Sequence, residues 1–307
     1  MATEAKMAGK AMDPRGKLAT RSHRRAYIRR ILNRTLFQLV VTVAAIAFGF
    51  PLFWLILCSL KTNPELLRFP PAFWPERFIW GNWPRTIAGY PFLLYYRNTI
   101  FLASNAALGT MAANALVGYG FSRIQWRGRG FFYMLCLSTM MLPGAVTMIP
   151  VYVIWRKLGA IGTWWPLTLG AWFANPYSTF LLAQFFRTIP QELGDAARVD
   201  GCSEFGIFWR IFLPLCKPAL AVVGLFAFTG TWSDVMGPLI YIQKTSMYTL
   251  TLGLKVMQDN FWFSGGKGSD WAGMMVGSAL AALPIVVLFF FTQKVFIEGI
   301  TFTGIKG

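Results

Sequence analysis

The chain has 307 residues, of which 55% are hydrophobic, 17% aromatic and only 13% charged. About a quarter of an ordinary soluble domain is charged, so 29 basic and 12 acidic side chains cannot wet a soluble fold of this length. A net charge of +17 would suggest nucleic acid in a soluble chain, but here the charges lie between long charge-free runs, in the tail and short loops where membrane topology signals belong. The composition is that of an integral membrane protein with the lipid bilayer as solvent and no nucleic-acid partner.

Residues 1–34 form a basic tail with ten Lys and Arg. Tyr27, Ile28, Ile31 and Leu32 share one helical face, with Arg24, Arg25, Arg29 and Arg30 largely elsewhere. That spacing suits an interfacial helix on the cytoplasmic leaflet. The following apolar run is too long for a signal peptide and no A-x-A site follows it, so it reads as a retained first span.

A membrane-crossing helix needs about 20 mostly apolar residues, and residues 35–307 offer six candidates: 35–60, 98–122, 130–155, 158–186, 218–243 and 271–293. Prolines 143, 150, 176, 238 and 284 fall inside them; a bundle tolerates these because neighbouring helices satisfy the freed carbonyls. The tail and the loops that share its side carry 19 Lys and Arg, against 10 in the opposite loops. The excess places both termini in the cytoplasm. The fold expected is all-α, with about six transmembrane helices.

Little in the chain can do chemistry. Cys58, Cys136, Cys202 and Cys216 are scattered, without a CxxC or partner histidines, so no disulfide framework or zinc site follows. His23 is the only histidine and lies in the basic tail. GxxxxGK[ST], GxSxG and HExxH do not occur, which leaves no expected cofactor or metal and no catalytic residues. Asp234 is the single acid inside a span. Such a carboxylate is a candidate for a translocation pathway, together with neighbouring Trp232; the alternative is a cap or ion pair near the membrane interface.

The segment 187–217, RTIPQELGDAARVDGCSEFGIFWRIFLPLCK, is the most organised loop. Thr188 and Gln191 have capping-box spacing around Pro190. Leu193, Ala196, Ala197 and Asp200 follow at helical intervals, and Gly201 can supply the left-handed residue that ends a helix. Ser203 is placed to cap a second helix, with Glu204 favourable against its dipole. Phe205, Phe208, Trp209 and Phe212 fall on one face of it. The pattern predicts an aromatic helix packed on the bundle, holding out a first helix whose exposed alanines admit a partner groove. Periodicity alone leaves an ordinary interfacial linker equally open.

Asp195-Ala196-Ala197, three residues, Gly201, nine residues, Ile211, one residue and Leu213-Pro214 has the spacing of the EAA motif, which marks permease subunits of binding-protein-dependent ABC importers. The chain resembles the carbohydrate-importer branch, and its maltose-type, MalG-like permeases in particular. Ser59-Leu60-Lys61, Ile149-Pro150-Val151-Tyr152, Trp232-Ser233-Asp234 with Pro238, Tyr248-Thr249-Leu250 with Gly253-Leu254, and Gly304-Ile305-Lys306-Gly307 are similar to that family over residues 35–307. Two departures stand out: the motif's leading Glu is Asp195, and the usual Trp-Asn before the span-five acid is Trp232-Ser233.

The resemblance implies half of an ATP-driven importer for a sugar or oligosaccharide in a prokaryotic inner membrane. Its partners would be a dimer of ATPase subunits receiving the Asp195–Pro214 segment, with Asp200 in its first helix, a second permease and an extracytoplasmic solute-binding protein. The outer segment 243–270, with Phe261, Trp262, Phe263, Gly265 and Gly266, would touch the binding protein; an interfacial aromatic belt is the alternative there. An autonomous six-helix facilitator and a membrane enzyme are the competing classes, the first opposed by the motif spacing and the second by the lack of catalytic clusters.

Overall fold

The computed structural model describes residues 14–263 and 270–304, with side chains over 30–259 and 270–293. All regular elements among the described residues are helical. The chain resolves into two units, residues 1–57 and 58–307. The first consists of most of α1 (Pro14–Ser59), one helix that carries the basic tail directly into the first apolar run. Its Phe37, Ile46 and Phe48 side chains are exposed, as suits a helix solvated by lipid. The face formed by Tyr27 and Ile28 lies outside the described side chains.

The second unit is built around α4 (Phe92–Ser122), which packs against α8 (Pro176–Thr188) and α12 (Lys217–Trp232). Small residues permit the approach. A side chain on Gly118 would stand 3.2 Å from the Ala183 nitrogen, and Ala103, Ala106 and Ala115 are buried along the same helix. Without a hydrophobic drive between helices in lipid, close backbone contact of this kind does the holding.

Among the described residues three helices are long and apolar enough to cross a membrane: the Arg30–Ser59 part of α1, α4, and the Trp271–Gln293 part of α15 (Trp271–Gly304). Two bent pairs raise the number to as many as five. The expected third span is one pair, α5 (Arg129–Ser138) with its 3₁₀ extension to Met141, then α6 (Gly144–Lys157), meeting at 102° across Leu142-Pro143. The expected fifth span ends early: α12 stops at Trp232, and a short helix α13 (Met236–Tyr241) follows after a break.

The fourth expected span, 158–186, is not one helix at all. It consists of a short helix at Trp165–Thr168, a 3₁₀ turn at Leu169–Trp172, an extended break at Phe173 and then α8. Broken backbone at membrane depth must find hydrogen bonds inside the protein, and Asn114 of α4, completely buried, supplies them. Its Oδ1 accepts from the Asn175 amide and from Thr179 Oγ1, both at 2.9 Å. Its Nδ2 donates to the Thr110 carbonyl at 2.7 Å. Asn175 then caps α8, accepting from the Ser178 amide at 2.8 Å. The sequence offered Pro176 as a tolerated interior proline; it is instead the first residue of a helix.

At the Phe92 end, Ser59, Leu60 and Lys61 are all buried. Asn82 Nδ2 bridges the Ser59 and Lys61 carbonyls at 2.9 Å each, and Lys61 Nζ donates to the Ala72 carbonyl at 2.5 Å. Thr62 and Glu65 complete a capping box on α2 (Asn63–Leu67). The Thr62 amide bond first, and the Glu76 amide besides, hold the Glu65 carboxyl below its ordinary range. Asn63 Oδ1 accepts from the Ala272 amide at 3.0 Å, anchoring the start of α15. Part of the segment expected as an outer loop is helical, α14 (Leu250–Phe263), with Leu250 and Met257 packed in a cluster with Phe92, Tyr95 and Trp232.

Asn114→Leu keeps the branching at Cγ and removes all three side-chain bonds. It should cost about 1–3 kcal/mol, read as a lowered thermal unfolding midpoint of the detergent-purified protein. Thr179→Val, which removes one donor, should cost less. A midpoint unchanged in Asn114→Leu would show that the break is held by something else.

Candidate functional site

The segment between α8 and α12 folds as the spacing indicated, with corrections in detail. α9 (Glu192–Val199) begins after Gln191, but Thr188 does not form a capping box: its hydroxyl donates to the Phe185 carbonyl at 2.7 Å, and Gln191 makes no side-chain cap. Gly201 does end the helix. Its φ is +80°, the Gly201 amide donates to the Arg198 carbonyl at 3.0 Å, and the Cys202 amide donates to the Ala197 carbonyl at 2.9 Å. This pair of bonds is the Schellman closure. Ser203 caps α10 (Glu204–Ile207), accepting from the Gly206 amide at 3.2 Å.

The aromatic face is not the one that regular α-periodicity gives. Residues Phe208–Phe212 form a π-turn, which rotates the register before α11 (Leu213–Leu215). Ile207, Phe208 and Phe212 are therefore buried, while Phe205 and Trp209 are 65% and 60% exposed and stack on each other at 6.3 Å. The buried set packs with Tyr119, Leu182, Phe186 and Ala219 from α4, α8 and α12. Tyr119 lies 5.1–5.8 Å from the Phe208, Phe212 and Phe186 rings.

Of the two alanines expected on the free face, Ala196 is exposed but Ala197 is buried in that cluster. Gly194 is buried beside it; a Cβ there would meet the Phe212 ring at 3.3 Å. The outward face of α9 carries Leu193, Ala196 and Val199, the last 88% exposed, with Asp200 also exposed. Ile211 and Leu213 are half-buried against the cluster, and exposed Pro214 opens α11.

Arg198 was overlooked in the sequence because a lone charge in a loop carries no periodic signal. It pairs with Asp195 at 2.6 Å and Glu204 at 2.6 Å, joining α9 to α10 across the Gly201 turn. Asp195, one methylene shorter than the family's Glu, still reaches it. Tyr119 donates to the same Glu204 carboxylate at 3.2 Å. The Arg198 bond holds the Glu204 carboxyl below its ordinary range, and the Glu204 bond raises the Arg198 guanidinium. Both groups are partly exposed, so the pairs set geometry more than stability.

Arg123 was counted only as a topology charge. Its Nε donates to the Phe186 carbonyl at 3.0 Å and its Nη2 to the Phe186 and Ile189 carbonyls, while the guanidinium lies 4.8 Å from the centre of the Phe212 ring. One side chain thus closes the end of α8 and covers the aromatic seat of the loop.

The other candidates lie apart from this loop. Trp232 is buried; its Nε1 donates to the Ala281 carbonyl at 3.1 Å and its ring stacks on Phe228 at 5.7 Å, so it fastens α12 to α15. Asp234 Oδ1 accepts from the Gly237 amide at 3.1 Å, and its carbonyl accepts from Thr251 Oγ1 at 2.7 Å. That is a capping role at the break between α12 and α13. Phe261, Trp262 and Phe263 have helical backbone at the end of α14; their side chains, and Gly265 and Gly266 entirely, lie outside the described residues.

A side chain on Gly201 would enter open space, so only backbone strain opposes it. Gly201→Val should destabilise the turn by about 1 kcal/mol or more, and Gly201→Asn by less, since Asn tolerates the left-handed region. Thermal unfolding midpoints of the two detergent-purified variants check the order; equal stability of the two would contradict it.

Residues 105–301 match the family model "Binding-protein-dependent transport system inner membrane component". An arabinooligosaccharide transport permease, AraQ of Halalkalibacterium halodurans, is 33% identical, with 88% of this chain and 96% of that protein covered. The maltodextrin transport permease MdxG of Bacillus subtilis is 31% identical over 91% and 98%. A bacterial ABC transporter that imports the acidic polysaccharide alginate has the same fold in one of its chains, with TM-score 0.72, 22% identity, and 88% and 97% covered. The chain belongs to the family of inner-membrane components of binding-protein-dependent transport systems.

Proposed function

We propose that this chain is one permease of an ATP-driven sugar or oligosaccharide importer, and that α9 is the surface on which a separate ATPase subunit acts. The observation that carries the reading is the division of α9 into two faces. Gly194 and Ala197 are sealed into the bundle, while Leu193, Ala196 and Val199 stand free in a segment closed by Gly201 and braced by Arg198. An apolar helix face presented on a rigid base has the form of a helix-in-groove recognition element. Asp200 and the stacked Phe205 and Trp209 flank it.

The sugar assignment draws on the relatives named for arabinooligosaccharide and maltodextrin transport, whose lengths this chain covers almost completely. A second permease would cover the exposed apolar side chains of α5 and α6, such as Met134, Met141 and Ile149. An extracytoplasmic binding protein would meet the opposite end, where residues 59–90 and the start of α15 are tied together. Asp234 would shape the end of the pathway by fixing the α12–α13 break rather than by touching solute. The excess of basic residues on the side of the tail supports an orientation with both termini, and α9, in the cytoplasm.

Ala196→Trp and Val199→Glu change only exposed positions. Each should reduce co-purification of the ATPase by at least about tenfold while the yield of the permease pair stays constant. Ala197→Trp, by contrast, should lower the yield of the chain itself. Wild-type ATPase recovery in both exposed variants would remove the docking assignment. Orientation has a built-in reporter: Cys202 is exposed in the loop. It should resist an impermeant maleimide added outside intact cells and react once the membrane is opened; labelling from outside would reverse the topology.

A further inference from the structure

The junction between the start of α5 and the end of α8 collects arginines that no acid answers. Residues 77–191 contain no Asp or Glu, and Arg127, Arg129 and Arg187 form no ion pair among the described residues. The next acids in the chain, Glu192 and Asp195, belong to α9, and Asp195 is taken by Arg198. We propose that this junction binds the anionic headgroup of a membrane phospholipid. The phosphate is held by the Arg129 and Arg187 guanidinium groups, and an acyl chain runs along the apolar surface beside them. The proposal goes beyond the importer reading and holds whatever the cargo.

Three features carry it. The first is that the two arginines are placed but not used up. The Arg187 guanidinium lies 5.1 Å from the centre of the Tyr133 ring of α5. Arg129 precedes Tyr133 by one turn of the same helix, so both arginines are neighbours of one ring. Arg129 Nη1 donates to the Ile124 carbonyl at 3.3 Å. One carbonyl and one ring face satisfy only part of two guanidinium groups with five N–H donors each. The planar, weakly hydrated guanidinium is the side chain best suited to phosphate oxygens.

The second feature is what lies beside the charges. Phe132 and Leu135, both exposed, follow Arg129 along α5. Exposed Phe180 lies two turns before Arg187 on the same face of α8. A free anion would use the arginines alone; a phospholipid uses the arginines and the apolar surface together. The third feature is depth. The charge-free runs 130–155 and 158–186 begin and end at these arginines, which sets the guanidinium groups at the level where headgroups start. Exposed Trp126 marks the same boundary: its ring lies 5.7 Å from Phe132 and its Nε1 donates to the Gly120 carbonyl at 3.2 Å.

The test reads the lipid at the site itself, because the basic tail attracts anionic lipid on its own account. Phe132 is replaced by the photoprobe p-benzoylphenylalanine in the full chain, in nanodiscs of equal phosphatidylglycerol and phosphatidylcholine with identical acyl chains. After irradiation the lipid adducts on residue 132 are counted by mass spectrometry. The same probe at Leu108, exposed in the middle of α4 and far in the chain from any Lys or Arg, gives the reference ratio. Phosphatidylglycerol should exceed that ratio at residue 132 at least about fivefold. Arg129→Gln with Arg187→Gln should return it to the reference, and Arg187→Gln alone, which leaves the Arg129–Ile124 bond in place, should lower it partway. Inorganic phosphate, compared with chloride at equal ionic strength, should leave the enrichment unchanged. A reference ratio at residue 132 of the otherwise unaltered chain, enrichment that survives loss of both guanidinium groups, displacement by inorganic phosphate, or adducts on protein in place of lipid would each overturn the proposal. None of these outcomes depends on where the ATPase docks, so the α9 variants test the importer reading separately.

Discussion

The guanidinium of Arg123 sits where three elements end. It caps the last carbonyls of α8, lies against the ring of Phe212, and belongs to the residue that follows the last turn of α4 as its C-cap. Tyr119, one turn earlier, fills the centre of the aromatic cluster and reaches Glu204. Together with buried Gly194 and Ala197, this junction seats α9 on the bundle. Phe208 and Phe212 pack Ala197 of α9 against α4, which carries Thr110 and Asn114, and against α8, which Asn175 caps. Packed side chains of this kind transmit strain because they have few alternative arrangements.

The run that leads into α8 is interrupted, while α4 beside it is continuous. A continuous helix satisfies its own backbone; a broken one must borrow partners, and Asn114 lends its Oδ1 to the Asn175 amide and the Thr179 hydroxyl. The break leaves space and polar groups together at one level of the bundle, as discontinuous helices do where solutes cross membranes. The Phe92 end of α4 shows the converse arrangement. There Asn82, Glu65 and Asn63 spend their hydrogen-bonding capacity on fixing backbone, and the segment 59–90 becomes a rigid cap beside the start of α15.

Much of this was legible in the residues. Charge-free runs located the apolar segments, and Gly201 and Ser203 announced a helix end and a helix start through chemistry local to each. What escaped depends on tertiary partners. Hydropathy measures apolar length, not continuity, so the run 158–186 concealed a break whose cost is met by an asparagine 61 residues earlier. Across the π-turn at Phe208–Phe212 only Phe208 and Phe212 of the four expected aromatics are buried, and a single sequence gives no signal for an inserted residue in a helix. Ala197 and Ala196 are chemically identical neighbours; only the cluster behind α9 separates them. Arg123 looked like one more basic residue on the positive side until its carbonyl partners were seen.

Conservative change at Arg123 isolates the central claim, that α9 is mechanically joined to the helices around the polar break. In Arg123→Gln the outward face of α9 is untouched, but the bonds to Phe186 and Ile189 and the charge over Phe212 are weakened or lost. The measurement is the ratio of solute transported to ATP hydrolysed by the reconstituted importer. The ATPase should remain bound and active while that ratio falls several-fold. A ratio equal to wild type, with binding intact, would contradict the account.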